Sequence, residues 1–227
     1  MAITKNRQSE ETIFSMAKRA FPDKQIAVIK ELTEGMCNVS YDITFEDGSG
    51  SILKIAAADR RGNISNEVNL MQAEINAMKL VAENCSFKVA DIQYYDPSNT
   101  ICDGSYFFME KLEGDNFFLV RKGMSEEVIA TIDTEIGKIS RELLNIQNSE
   151  FGFLGEDKRY DSLFEFVKHM LGNLISDARK REIDIVYDEQ TLMNQLEKDK
   201  SAFEAIHKAS LVHWDMWEGN VFVKDGH

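Results

Sequence analysis

Residues 211–223 have the sequence LVHWDMWEGNVFV, which is the strongest signal in the chain. It contains the pattern HxDxxxxN, with His213, Asp215 and Asn220 at the fixed positions, and it continues directly into an apolar strand-like run. A phosphoryl-transfer site needs a carboxylate that orients the attacking hydroxyl and an oxygen ligand for magnesium nearby. Asp and Asn five positions apart on a tight loop can supply both. The alternative is an ordinary loop with an Asp turn and a capping Asn.

The sequence before this loop predicts a small sheet with one long helix. A first helix begins after a Ser9 cap and ends at Pro22. Apolar and alternating runs predict an antiparallel meander of three strands, at 25–32, 38–45 and 51–57. A helix over 65–84 and strands over 89–95 and 105–111 follow. After Gly114 the pattern is helical, with helices from Ser125 onward, over 161–180 and over 190–205, and a last strand at 221–224. The expected fold class is therefore α+β.

In this setting the loop resembles the HGDLxxxN loop of the aminoglycoside phosphotransferases and of choline-kinase-like relatives, with Trp214 where glycine is more usual. The resemblance implies a protein-kinase-like bilobal fold. Residues 1–113 would form the nucleotide-binding lobe, and 114–227 a partial helical lobe that carries the catalytic loop. It also implies an enzyme that uses ATP or GTP with Mg²⁺ and transfers the γ-phosphate to a hydroxyl of a small molecule.

The same resemblance assigns roles to single residues. Asp215 would orient the acceptor hydroxyl, Asn220 would bind Mg²⁺, and His213 would support the loop. Lys54, in the strand-like segment SILKI, would hold the α- and β-phosphates. Glu74 on the following helix would position Lys54, and it is favoured over Glu67. A lysine at a strand edge and a solvent-exposed helix glutamate are the ordinary alternatives.

Two further segments resemble nucleotide-binding elements. The stretch 33–38 resembles the loop over the phosphates, with Gly35 and Asn38 as candidates, although a single glycine also suits an ordinary turn. The stretch 105–114 resembles the hinge between lobes. There the carbonyl of Glu110 and the amide of Leu112 would pair with adenine, and Met109 would lie beside the ring. A buried strand that ends at a glycine is the alternative.

Composition restricts the partners. The net charge of −13 argues against nucleic acid and against an anionic membrane, because phosphate groups are bound by an excess of lysine and arginine. It suits a cationic acceptor, with an aminoglycoside as the first candidate, although an acidic surface can also serve solubility alone. Three widely separated cysteines and an N-terminus without an apolar signal region predict a cytoplasmic protein without a disulfide framework.

The family pattern also has a second magnesium carboxylate, on a strand that returns after the Asn-bearing strand. The sequence ends at His227, before such a strand, and Asp225 lies in the turn. We therefore expect the 221–224 strand to be unpaired and available for self-association. The alternative function is a catalytically impaired nucleotide-binding fragment or pseudokinase that lacks this Asp. An acidic scaffold without nucleotide binding is a third alternative.

Overall fold

The structure is a computed structural model, and it describes residues 5–33, 38–57 and 64–224. The chain forms two compact units. The first unit comprises residues 1–62, 78–132 and 216–227, and the second comprises 63–77 and 133–215.

The helices and strands alternate irregularly, as expected of an α+β protein. In chain order they are α1 (Glu10–Ala20), β1 (Ile26–Leu32), β2 (Val39–Phe45), β3 (Gly50–Ile55), α2 (Leu70–Asn84), β4 (Ile92–Asp96), β5 (Tyr106–Glu110), β6 (Asp115–Asn116), α3 (Phe117–Val120), α4 (Glu126–Asn145), β7 (Gln147–Asn148), α5 (Leu163–Lys180), α6 (Glu189–Lys198), α7 (Lys200–Glu204), β8 (Ala209–Ser210) and β9 (Phe222–Val223). Short 3-10 turns cover Arg121–Gly123 and Glu218–Asn220.

A five-stranded antiparallel sheet in the order β1-β2-β3-β5-β4 forms the centre of the first unit. The alternation predicted for β2 is confirmed, since its buried positions are Val39, Tyr41, Ile43 and Phe45. Helix α1 packs its buried side chains against this face, and Ser9 caps it by accepting a hydrogen bond from the Thr12 amide. The predicted meander and first helix are therefore both correct.

Helix α2 begins five residues later than the sequence pattern predicted. Residues 65–69 form a turn in the second unit, because both the amide and the hydroxyl of Ser65 donate to the buried carboxylate of Asp177, the hydroxyl at 2.6 Å. Asn69 then adopts a left-handed φ of 49°. Val68, which the apolar spacing within 65–84 puts on the inner face of the predicted helix, is outside the helix and 40% exposed.

The remaining helices follow the predicted pattern with two corrections. Ser162 caps α5, whose buried face includes Ile175. Leu174, which the apolar spacing within 161–180 puts on the inner face, is instead 42% exposed. The single helix predicted over 190–205 is broken at Asp199 into α6 and α7. Ser125 caps α4 as expected, since its hydroxyl accepts from the Val128 amide.

The last strand is not unpaired. Strand β9 pairs antiparallel with β6 in the first unit, with Asp115 opposite Val223 and Asn116 opposite Phe222. The chain reaches this position because Gly114 turns it at a φ of 116°. The expectation of an unpaired 221–224 strand was therefore wrong, and the reason given for self-association through that strand no longer holds.

Within the described ranges, none of the helices combines the length and the apolar character that crossing a bilayer requires.

Candidate active site

Lys54 lies on β3, a central strand of the sheet. It is opposite Ser40 on β2 and Phe107 on β5, and its Nζ lies 5.9 Å from the centroid of the Phe107 ring. Its neighbours Leu53 and Ile55 are fully buried on the other face, with the α1 core. Lys54 itself is only half-buried. The sheet therefore directs its ammonium away from that core, as strand alternation predicts.

The predicted hinge begins on β5, the strand next to β3. Met109 and Glu110 end β5, opposite Ile52 and Ser51 of β3, and Leu112 lies half-buried just beyond. The Ser51 hydroxyl donates to the Met109 carbonyl at 3.0 Å. Lys54 therefore lies on the strand adjacent to that of Met109 and Glu110, and Leu112 follows two residues after the strand ends.

The Glu110 side chain has a local ionic partner. Its carboxylate lies 2.6 Å from Lys88 Nζ, and the Glu110 amide donates to the Asp91 carbonyl at 2.8 Å. Hydrogen bonds to Glu110, and then to Asp91, raise the pKa of Lys88. These contacts fix the end of β5 to the segment that leads into β4.

The predicted phosphate loop is described only at its end. Asn38 is half-buried and immediately precedes β2. Gly35 belongs to residues 34–37, which lie outside the described residues.

Glu74 lies on α2 in the second unit, half-buried, near the buried Met71 and Ile75. The rival candidate, Glu67, caps the preceding turn, since its carboxylate accepts from the Ile64 amide at 3.1 Å. Because Lys54 belongs to the first unit, its pairing with Glu74 stays a prediction.

His213 and Asp215 of the predicted catalytic loop are both exposed and joined by a hydrogen bond in the second unit. The Asp215 amide donates to His213 Nδ1 at 3.3 Å. A backbone N–H can only donate, so Nδ1 accepts and a neutral ring carries its proton on Nε2. The contact curls the chain around Trp214, whose φ of 70° is left-handed.

Asn220 ends a 3-10 turn in the first unit, and its backbone N–H donates to the Trp217 carbonyl at 2.9 Å. This turn is held by the segment that follows the predicted hinge. The Asn116 side chain donates to the Gly219 carbonyl at 2.7 Å, and Arg121 forms an ion pair with Glu218.

The backbone reinforces this attachment. The Phe117 amide donates to the Val221 carbonyl at 2.9 Å, directly beyond the β6–β9 pair. Sequence reasoning missed Asn116 and Arg121. Asn116 could have been found as an N-cap type of residue before the apolar run that forms α3, whereas Arg121 gave no local signal.

Trp217 shapes the same turn. Its ring packs against Phe118, with centroids 5.4 Å apart, and it covers Gly219 so closely that a Cβ there would lie 2.3 Å from the indole. Glycine at 219 is therefore required by close approach rather than by backbone conformation.

A magnesium ion would have to bind with the nucleotide. The described residues contain no group of three or more His, Cys, Asp and Glu side chains that could hold a metal. Mg²⁺ in phosphoryl-transfer sites uses one or two protein oxygens together with phosphate oxygens and water. Asn220, which is exposed, offers a side-chain oxygen of this kind, so it fits a metal that arrives with a triphosphate.

The fold matches solved structures of kinase-like phosphotransferases. Aminoglycoside phosphotransferase APH(4)-Ia aligns at a TM-score of 0.62 and 12% identity, over 96% of this chain and 69% of that one. A putative fructosamine-3-kinase from Thermobifida fusca YX-ER1 aligns at 0.62 and 12%, over 96% and 71%. APH(2")-IIia, in complex with GDP and kanamycin, aligns at 0.53 and 13%, over 92% and 66%. The predicted protein-kinase-like fold is thus confirmed.

A thermostable mutant of APH(4)-Ia, in a ternary complex with AMP-PNP and hygromycin B, aligns at a TM-score of 0.59 and 13% identity, over 95% of this chain and 68% of that one. No protein-family model matches the chain, and no curated protein matches its sequence.

Proposed function

We propose that this chain is a small-molecule O-phosphotransferase that transfers the γ-phosphate of ATP or GTP to an acceptor hydroxyl. The observation that carries the proposal is the HxDxxxxN loop itself. His213 holds the backbone at Asp215, and the Asn220 turn is fastened to the segment after the hinge. The same fold in proteins solved with AMP-PNP, GDP, hygromycin B and kanamycin supports it.

In this reaction the Asp215 carboxylate accepts a hydrogen bond from the acceptor hydroxyl and turns its oxygen toward the γ-phosphorus. As the new P–O bond forms, the bond from the γ-phosphorus to the β,γ-bridging oxygen breaks and the nucleoside diphosphate leaves. Asp215 takes the hydroxyl proton. The hydrogen bond from the Asp215 amide to His213 keeps the loop in one conformation before the substrate binds.

The nucleotide site uses the sheet. Lys54, positioned by Glu74, would bind the α- and β-phosphates under the loop with Gly35 and Asn38, and the hinge backbone at Glu110 and Leu112 would pair with the base beside Met109. Asn220 would bind Mg²⁺, which neutralises charge on the β- and γ-phosphate oxygens when it is bound. Residues 1–113 would bind the nucleotide, and residues 114–227 would carry the catalytic loop. It also places the reaction in the cytoplasm.

The negative net charge of the protein favours a cationic acceptor. A protein with a net charge of −13 attracts cations over distances up to about a Debye length, ~8 Å at physiological salt. Aminoglycosides are therefore the first acceptors to test, with neutral sugars as the comparison.

The test has two stages. Thermal unfolding is measured with ATP and GTP, with and without Mg²⁺, because a ligand that binds only the folded state raises the melting temperature. Phosphate transfer is then assayed against kanamycin, hygromycin B and neutral sugars for the unchanged protein, for Asp215→Asn, and for the exposed control Asp184→Asn. Loss of a general base costs about 10²–10⁴-fold in rate.

We expect Asp215→Asn to lose turnover by this factor while it keeps nucleotide binding, and Asp184→Asn to behave as the unchanged protein. Nucleotide binding without transfer to any acceptor would favour a non-catalytic nucleotide-binding protein. The absence of any nucleotide effect on unfolding would reject both the kinase and the nucleotide-binding alternative.

A further inference from the structure

Trp214 has a backbone conformation that disfavours its own side chain. Among the described residues, the non-glycine residues with positive φ are Asn69, Asn99, Glu182 and Trp214. Asparagine tolerates this region well, but a bulky aromatic residue does not. Such strain persists where the surrounding structure enforces it, and it is concentrated at functional sites.

The indole is held in place and yet exposed. It contacts Phe153 edge to face, with ring centroids 6.4 Å apart, and Phe153 contacts Phe166 in the same way at 5.0 Å. All three rings belong to the second unit. Trp214 is nevertheless 75% exposed, which leaves most of the largest side chain in the repertoire in contact with water. Anchored aromatic side chains of this kind are typical of recognition surfaces.

The position of the ring connects it with the acceptor. Trp214 directly precedes Asp215, so the two Cα atoms are about 3.8 Å apart and both side chains leave one exposed stretch. An acceptor that hydrogen-bonds to Asp215 and extends well beyond this spacing can therefore also contact the exposed indole. This step rests on the proposed function.

We propose that the indole of Trp214 forms part of the acceptor site and favours acceptors with an ammonium group near the phosphorylated hydroxyl. Tryptophan has the strongest attraction for cations of the three aromatic side chains, and the acidic protein supplies the long-range field. The side chain thus determines specificity, while Asp215 performs the chemistry.

Fluorescence provides a direct readout, because Trp214 and Trp217 are the only tryptophans in the chain. In Trp217→Phe all indole emission comes from Trp214, and in Trp214→Phe it comes from Trp217. Titration with kanamycin should shift the emission of the first variant and protect it from acrylamide quenching. The second variant should show neither effect. Unchanged Trp214 emission at saturating kanamycin would overturn the proposal.

Kinetics provide the second readout. Trp214→Leu should raise KM for kanamycin about tenfold with kcat changed less than twofold, and Trp214→Phe should restore most of the loss. The effect on N-acetylated kanamycin, which lacks the cationic groups, should be below threefold. Equal losses for both acceptors, or turnover with neutral sugars only, would reject the ammonium preference.

Trp214→Gly removes the ring and suits the left-handed backbone, so it should fold even if the leucine variant does not. It is therefore expected to reproduce the KM effect of Trp214→Leu. Failure of the proposed function is recognised separately, because the unchanged protein would then show no nucleotide effect on unfolding.

Discussion

Replacement of Gly114 by alanine should destabilise the first unit and weaken Mg²⁺-dependent nucleotide binding. Gly114 has a φ of 116°, and an alanine Cβ would lie 2.6 Å from the Val223 carbonyl oxygen and 3.1 Å from its carbon. Backbone strain of this kind costs about 1–3 kcal/mol. Displacement of Val223 adds about 0.5–1.5 kcal/mol for each β6–β9 hydrogen bond that is lost. The sum predicts a loss of roughly 2–4 kcal/mol.

The assay is urea unfolding, and Gly123→Ala is the matched control. Gly123 lies nine residues further along, an alanine Cβ there would meet no neighbouring atom within 4 Å, and the position does not require a positive φ. Its replacement should therefore change the free energy of unfolding by less than about 0.5 kcal/mol. Nucleotide protection in thermal unfolding, measured with and without Mg²⁺, gives the functional readout for both variants.

Equal stability of Gly114→Ala and Gly123→Ala would refute the idea that this turn fixes β9 against β6. A stability loss without any change in Mg²⁺-dependent protection would show that the Asn220 turn does not depend on that attachment.

Two other predictions concern stability and the loop. Burial alone would raise the pKa of Asp96, but hydrogen bonds from the Ser98 hydroxyl and amide, among others, lower it to about 2. The carboxylate should therefore stabilise the fold fully at a pH above its unfolded pKa of about 3.9, and this stabilisation should be lost as the pH falls toward 2. In a plot of melting temperature against pH, Asp96→Asn should therefore reduce the fall in melting temperature on the acid side. Gly219→Ala should disturb the Trp217 ring and weaken Mg²⁺-nucleotide binding, but it should cost little in a Trp217→Ala background. A pH profile unaffected by Asp96→Asn, or additive effects at 219 and 217, would contradict the respective explanations.

Local patterns predicted most of the sheet and its core. The alternation in β2 and the Ser9 cap of α1 depend on neighbouring residues, so the sequence displays them directly. The start of α2 could not be found in this way, because the turn before it is set by Asp177, a residue 112 positions away from Ser65. The β6–β9 pair was missed for a similar reason, since two-residue strands have no periodicity.

In the candidate site, too, local patterns were predictable from the sequence and long-range contacts were not. The spacing of His213, Asp215 and Asn220 was visible in the sequence, and the Asp215 amide donates to His213, whose supporting role stays a prediction. The attachment of the Asn220 turn through Asn116 and Arg121 was not visible, because it joins segments about a hundred residues apart. Long-range contacts of this kind leave no pattern in either segment alone.

The attachment of the 216–223 segment to residues 115–121 limits how the sequence of this protein could diversify. One short stretch of chain follows the proposed base-reading hinge and also braces the turn that carries Asn220. If the hinge moved so that the protein preferred guanine over adenine, the turn with the proposed Mg²⁺ ligand Asn220 would move as well. Preference for a nucleotide base and preference for Mg²⁺ over Mn²⁺ should therefore change together among natural or engineered descendants.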